Sequence, residues 1–174
     1  STGSNMFLGR EPELAQLAEL LKRKKSSFVV IKGRRRNGKS TLVKEFCKQQ
    51  ELTCYSFQGL APGKNVNKTN QLTNFRKAFL DYLGPSELSI KNWSTALKSL
   101  KLLKFTKKTV IFLDEISWMA MGEGSFASML KANWDEHLEP INNLILIVCG
   151  SVSSWIDENI SQNTGFAGRV NVEI

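Results

Sequence analysis

The chain has 174 residues, 41% hydrophobic and 23% charged, with a formal net charge of +8. That length suits one domain with a sizeable core, and the basic balance favours anionic partners: nucleotide, nucleic acid or acidic protein surfaces. A single histidine, His137, excludes metal centres built on several histidines, and three cysteines fall short of an all-Cys zinc site.

Cys47, Cys54 and Cys149 are scattered and odd in number. They read as reduced thiols of a cytoplasmic protein rather than a disulfide framework. No apolar run approaches the ~20 residues of a membrane helix, so no membrane partner is expected. Nor does the N-terminus carry a basic region followed by an apolar one. Ser1 to Asn5 reads as a cloning remnant and Met6 as the native start, leaving residues 6–174 as a single domain.

In chain order, Pro12 suits a first helical position. Leu14, Leu17, Ala18 and Leu21 then give the apolar stripe of an amphipathic helix. The helix ends in Lys22-Arg23-Lys24-Lys25, where cations favour the negative helix end; a nucleic-acid patch is the functional alternative. Phe28 to Ile31 is an apolar run of strand length. It is followed at once by Gly33-Arg34-Arg35-Arg36-Asn37-Gly38-Lys39-Ser40-Thr41 and a helical pattern through Phe46. This is the strand, glycine loop, helix order of a phosphate-binding loop. Its glycines let successive N–H groups point into one hollow, and the helix start adds unpaired amides and a positive dipole end. Lys39 reaches the β- and γ-phosphates and Ser40 offers its hydroxyl to Mg²⁺ in such loops.

Leu52 to Phe57 reads as a second strand, and Gly59 to Lys68 as a polar loop. Helix resumes with Leu72, Phe75, Phe79 and Leu83, and Gly84-Pro85 punctuates it. A further helix starts near Trp93, with Leu97, Leu100 and Leu103 inward and Lys98, Lys101 and Lys104 forming a parallel basic stripe. Thr109 to Leu113 is an apolar strand closed by Asp114-Glu115. Phe126, Met129, Leu130, Trp134 and Leu138 mark a helix. Leu144 to Cys149 is the most hydrophobic strand, a short helix fits Ser153 to Ile156, and Val170 to Ile174 alternates as a last strand.

Near-continuous apolar strands separated by helices mean an α/β fold, with a parallel sheet covered on both faces. Ligands of such sheets sit at the carboxyl ends of the strands. Gly33, Asp114 and Ser151 all follow strand ends, so three segments can converge there. Asp114 is placed to hold Mg²⁺ directly or through water. Glu115 is placed to polarise an attacking water, which points to hydrolysis. Ser151 can donate to a γ-phosphate or to the water. Arg169 can contact phosphate in cis or reach a neighbour's site, with a structural salt bridge as the alternative. Arg34, Arg35 and Arg36 raise the positive potential of the loop.

Together these pieces resemble the prokaryotic "archaeal-type" P-loop ATPases of the AAA-like and STAND branches, more distantly the origin-recognition initiator ATPases. The matching segments are Phe7–Leu14, Val29–Phe46, Val110–Met119, Leu144–Ile156 and Gly165–Val170. The resemblance implies a three-layer P-loop NTPase with an additional-strand sheet in the order 5-1-4-3-2. It implies Gly9, Arg10 and Glu11 near the adenine, Ser151 as the sensor and Arg169 as a phosphate-sensing arginine. It also implies a lid or effector domain beyond the ATPase core. The function expected is ATP binding and Mg²⁺-dependent hydrolysis coupled to conformational change. The alternative is a nucleotide-gated signalling or interaction module with little turnover, working through a protein partner, self-association or DNA. A small-molecule kinase fits less well because of the Asp-Glu pair. A GTPase fits less well because Asn67-Lys68-Thr69-Asn70 lacks the guanine-reading aspartate and precedes the Asp114 strand.

Overall fold

The computed structural model describes residues 10–33 and 38–174. Five strands form one parallel sheet: β1 (Ser27–Lys32), β2 (Thr53–Gln58), β3 (Thr109–Asp114), β4 (Leu144–Gly150) and β5 (Val172–Glu173). Their order across the sheet is β2-β3-β4-β1-β5. β4 therefore lies between the glycine-loop strand and the Asp114 strand, with Ile31 opposite Cys149 and Leu113 opposite Val148.

The central strands β1, β3 and β4 are near-continuous apolar runs because both their faces are covered. Successive side chains alternate between two cores. Val29, Ile31, Val110, Phe112, Ile145 and Ile147 face one core. There they meet α1 (Glu11–Ala18) through Leu14 and Leu17, and α2 (Lys39–Gln49) through Leu42, Val43 and Phe46. Phe28, Val30, Ile111, Leu113, Leu146 and Val148 face the other core. That side is closed by α3 (Lys68–Leu83), α4 (Trp93–Ser99), α5 (Ile116–Met119) and α6 (Phe126–Asn133). Phe28 is fully buried with Trp134 and Phe166 edge-on to its ring, at 5.1 and 5.3 Å. Burial of such a side chain stabilises the fold by about 1.5–3 kcal/mol.

The helix ends depart from a uniform 3.6-residue stripe. After Ala18 the chain tightens into a 3₁₀ turn over Glu19–Lys22, and Leu20, three residues after Leu17, is the buried leucine where Leu21 was expected. Three residues per turn explains that shift. α4 likewise passes into a 3₁₀ turn at Leu100–Leu102, and α6 into a π turn at Trp134–Leu138. Two short helices follow β4: α7 (Ser153–Ile156) and α8 (Thr164–Ala167), the second without a counterpart in the sequence reading. β5 is shorter than the alternation of Val170 to Ile174 implied, because Asn171 leaves the strand pattern. Its N–H donates to the Phe28 carbonyl and its Oδ1 accepts from the Phe28 N–H. Among the described residues, no helix is long and apolar enough to cross a membrane.

Candidate functional site

The carboxyl ends of β1, β4 and β3 lie side by side, and each delivers polar residues to one end of the sheet. β1 runs into Gly33, whose φ of 132° lies outside the range that suits a side chain. Gly38, with φ 71° and ψ 28°, caps α2, so the helix begins at Lys39 with its first-turn amides unpaired within the helix. Lys39 is only 3% exposed, and its Nζ donates to the Gly33 carbonyl oxygen at 2.9 Å. Ser40 and Thr41 follow in the first turn, both half-buried. Arg10, at the start of α1, brings its guanidinium against Gly38: a Cβ there would stand 3.6 Å from Nη2. Gly9 and Arg34, Arg35, Arg36 and Asn37 lie outside the described residues.

β3 ends in Asp114, which is 7% exposed. The Cys149 thiol on β4 donates to Asp114 Oδ1 at 2.9 Å. Burial and the Asp114 carboxylate push the Cys149 pKa up, so the thiol stays protonated as a donor. Glu115 is 5% exposed and adopts a left-handed conformation, φ 53° and ψ 54°. That turn carries its carboxylate towards β4, where Oε2 accepts from the Ser151 hydroxyl at 2.9 Å and the Ser151 N–H at 3.3 Å. Lys39, Asp114, Glu115 and Ser151 are thus brought to one end of the sheet.

Arg169 is not. It stands at the amino end of β1, where Gly168 and Asn171 share a cleft with Arg23 and Ser26. Nε and Nη2 donate to the two Asp135 carboxylate oxygens at 2.6 and 2.8 Å, and Nη1 donates to the Gly165 carbonyl. This is the structural salt bridge held as the alternative for Arg169: the guanidinium pairs with Asp135 at the end of the sheet away from Lys39.

Two supporting residues escaped the sequence reading. Gly59, directly after β2, donates its N–H to the Asp114 carbonyl at 2.9 Å. A Cβ there would lie 2.5 Å from the Glu115 carbonyl oxygen and 2.7 Å from the Met119 nitrogen, so only glycine lets the loop pass. The signal was a glycine abutting a strand end. Cys149 is the other; within an apolar run nothing set it apart from a core residue.

Hydroxyl and carboxylate oxygens beside a buried ammonium suit a hard divalent cation held together with a phosphate chain. Among the described residues there is no cluster of three or more His, Cys, Asp or Glu able to hold a metal on its own.

Residues 7–173 match a family described as an ATPase domain predominantly from Archaea. The chain belongs to that family. An uncharacterized protein of Methanocaldococcus jannaschii is 24% identical over 164 residues, 94% of this chain and 34% of that one. Solved structures with the same fold include a Walker-type ATPase of Pyrococcus abyssi, at TM-score 0.58 and 18% identity over 95% of this chain and 52% of that one. The Aeropyrum pernix ORC1 protein, solved in complex with DNA, matches at TM-score 0.58 and 18% identity, over 95% and 44% of the two chains. Drosophila ORC bound to DNA matches at TM-score 0.61 and 17% identity, over 99% and 44%. The chain spans about a third of the length of the curated relative and about half of these solved chains.

Proposed function

We propose that the carboxyl end of the sheet binds ATP with Mg²⁺ and that the chain hydrolyses it. The supporting observation is the convergence of buried Lys39 with the buried Asp114-Glu115 pair at adjacent strand ends. Lys39 binds the β- and γ-phosphates, with the α2 amino terminus beneath them. Ser40 and Asp114 hold the Mg²⁺, which supplies charge compensation at the phosphate oxygens. Glu115 accepts the proton of the attacking water, and Ser151 orients its carboxylate until the γ-phosphate is in place. Arg10 lies on the nucleotide side of Gly38. The strand order, with β4 between β1 and β3, supports the additional-strand class of P-loop ATPases and within it the AAA-like or STAND branch.

Coupling to a conformational change runs through Ser151. It links the Glu115 carboxylate to the segment that leads into α7, so exchanging that bond for a phosphate contact moves α7 relative to the sheet. The same bond favours a second reading, a nucleotide-gated module acting on a protein partner or a second copy with little turnover. In that case the bond keeps the base engaged, and hydrolysis stops near one equivalent per chain.

Titration calorimetry with ATP and Mg²⁺ tests the binding reading. Lys39→Ala is expected to weaken ATP by at least about 100-fold, the scale of losing a buried charge-assisted phosphate contact of ~3 kcal/mol. An unchanged affinity would remove the phosphate-loop assignment.

A further inference from the structure

Positive charge collects at the other end of the sheet. Two basic runs, far apart in sequence, lead into neighbouring strands. Lys22, Arg23, Lys24 and Lys25 precede β1 and are exposed; Lys104 and Lys107, also exposed, precede β3 with half-buried Lys108. The runs touch: Lys108 Nζ donates to the Arg23 carbonyl oxygen, while Arg23 Nη2 donates to the Ser26 carbonyl at 3.3 Å. Lys107 Nζ donates to the Glu51 carbonyl at 3.2 Å, which carries the basic edge across to the start of β2. Burial, and secondarily the Arg23 charge, lower the Lys108 pKa.

Some of the other cations are neutralised. Lys32 meets Asp157 and Glu173, Lys68 meets Glu123, and Arg169 meets Asp135. Among the described residues, no ion pair is formed by Arg23, Lys24, Lys25, Lys104, Lys107 or Lys108. Of the nearby carboxylates, Glu19 is taken by Lys22 and Asp135 by Arg169, leaving Glu139 on the cleft beside Arg23 and Lys25 and Glu51 next to Lys107. Only β4 separates β3 from β1, so the two runs lie about 10 Å apart, two strand spacings. That is close to the ~8 Å screening length at physiological salt, so both act on one polyanion.

We propose that this amino edge is a sequence-independent docking surface for the phosphate backbone of double-stranded nucleic acid. Lysines, as flexible point charges, suit phosphates rather than base edges. A single-strand site needs exposed aromatic rings for stacking. Among the described residues the exposed large apolar side chains are Tyr82, Leu102 and Val152, and Tyr82 packs on Tyr55 and Phe57. Leu102 is the only one on the segment leading into β3, too little for the apolar centre of a protein interface. The surface lies opposite Lys39, so it stands or falls separately from ATP binding.

Fluorescence anisotropy with labelled duplexes of about 30 base pairs and two unrelated sequences tests it. Both duplexes are expected to bind equally, with log K falling against log salt at a slope near −4, the mark of four to five neutralised phosphates. Lys24→Glu with Lys25→Glu, and Lys104→Glu with Lys107→Glu, each weaken binding at least about tenfold and flatten the slope by about 2. Both pairs keep the wild-type thermal melt and ATP affinity, while Lys39→Ala keeps duplex binding. Duplex affinity within twofold of wild type in both reversal pairs would overturn the surface. So would binding to phosphatidylserine vesicles or to a single strand with no binding to duplex.

Discussion

Glu115 holds a left-handed backbone conformation that costs a residue with a Cβ about 1–2 kcal/mol. The fold retains it because the turn buries Ile116 in the core and directs the carboxylate to Ser151. Asp114 is managed differently: its Oδ1 receives the Cys149 thiol from the neighbouring strand. Without that donor a buried carboxylate oxygen loses a partner and the carboxylate its fixed orientation. Cys149→Val is therefore expected to raise the Mg²⁺ concentration for half-maximal ATP hydrolysis about tenfold, and Cys149→Ser to restore it. Equal Mg²⁺ dependence in wild type and the valine variant would reduce Cys149 to a packing residue.

At the scale of elements, β1 carries the loop and must be anchored where it ends. Lys32 does this, with Nζ 2.9 Å from Asp157 and 2.6 Å from Glu173, while its N–H donates to the Ile174 carbonyl. One side chain thus ties β5 and the turn after α7 to the last residue before the loop. The hydrogen bond from Lys32 is the main cause holding the Glu173 carboxyl below the usual carboxylate range. The folded value is the lower one, so the pair's contribution is complete above the ordinary carboxylate pKa and is lost as pH falls through the folded value. The matching rise in the Lys32 pKa acts only at alkaline pH, beyond the ordinary lysine value. Glu173→Gln should cost about 0.5–1 kcal/mol at pH 7, the range of a partly exposed pair. Melting curves from pH 7 to pH 3 should show the gap between the variant and wild type closing below the ordinary carboxylate pKa. A gap constant across that range would assign the loss to something other than charge.

For the whole molecule, the sheet has two chemically distinct ends. The carboxyl end gathers Lys39, Asp114, Glu115 and Ser151; the amino end gathers the two basic runs and the Arg169–Asp135 pair. The first end was legible because its residues sit where strand periodicity stops, a local signal in each of three segments. The strands were legible because two covered faces demand uninterrupted apolar runs, as in Val110 to Leu113. What stayed hidden depends on contacts between distant positions. Arg169 is claimed by Asp135, 34 positions away, and no local pattern announces that pair. Gly59 is fixed by the carbonyl of Glu115 and Cys149 by Asp114, both on other elements. The apolar stripe of α1 shifted where a 3₁₀ turn changed the period, at Leu20, whereas Trp134 and Leu138 stay buried through the π turn after Asn133.

Phosphate release by Glu115→Gln against wild type decides whether Glu115 is the base proposed for ATP hydrolysis. With Mg²⁺ and saturating ATP, the variant should bind ATP as wild type does yet release phosphate at least about 100-fold more slowly, the range of a lost general base. Hydrolysis by Glu115→Gln at the wild-type rate would contradict the account.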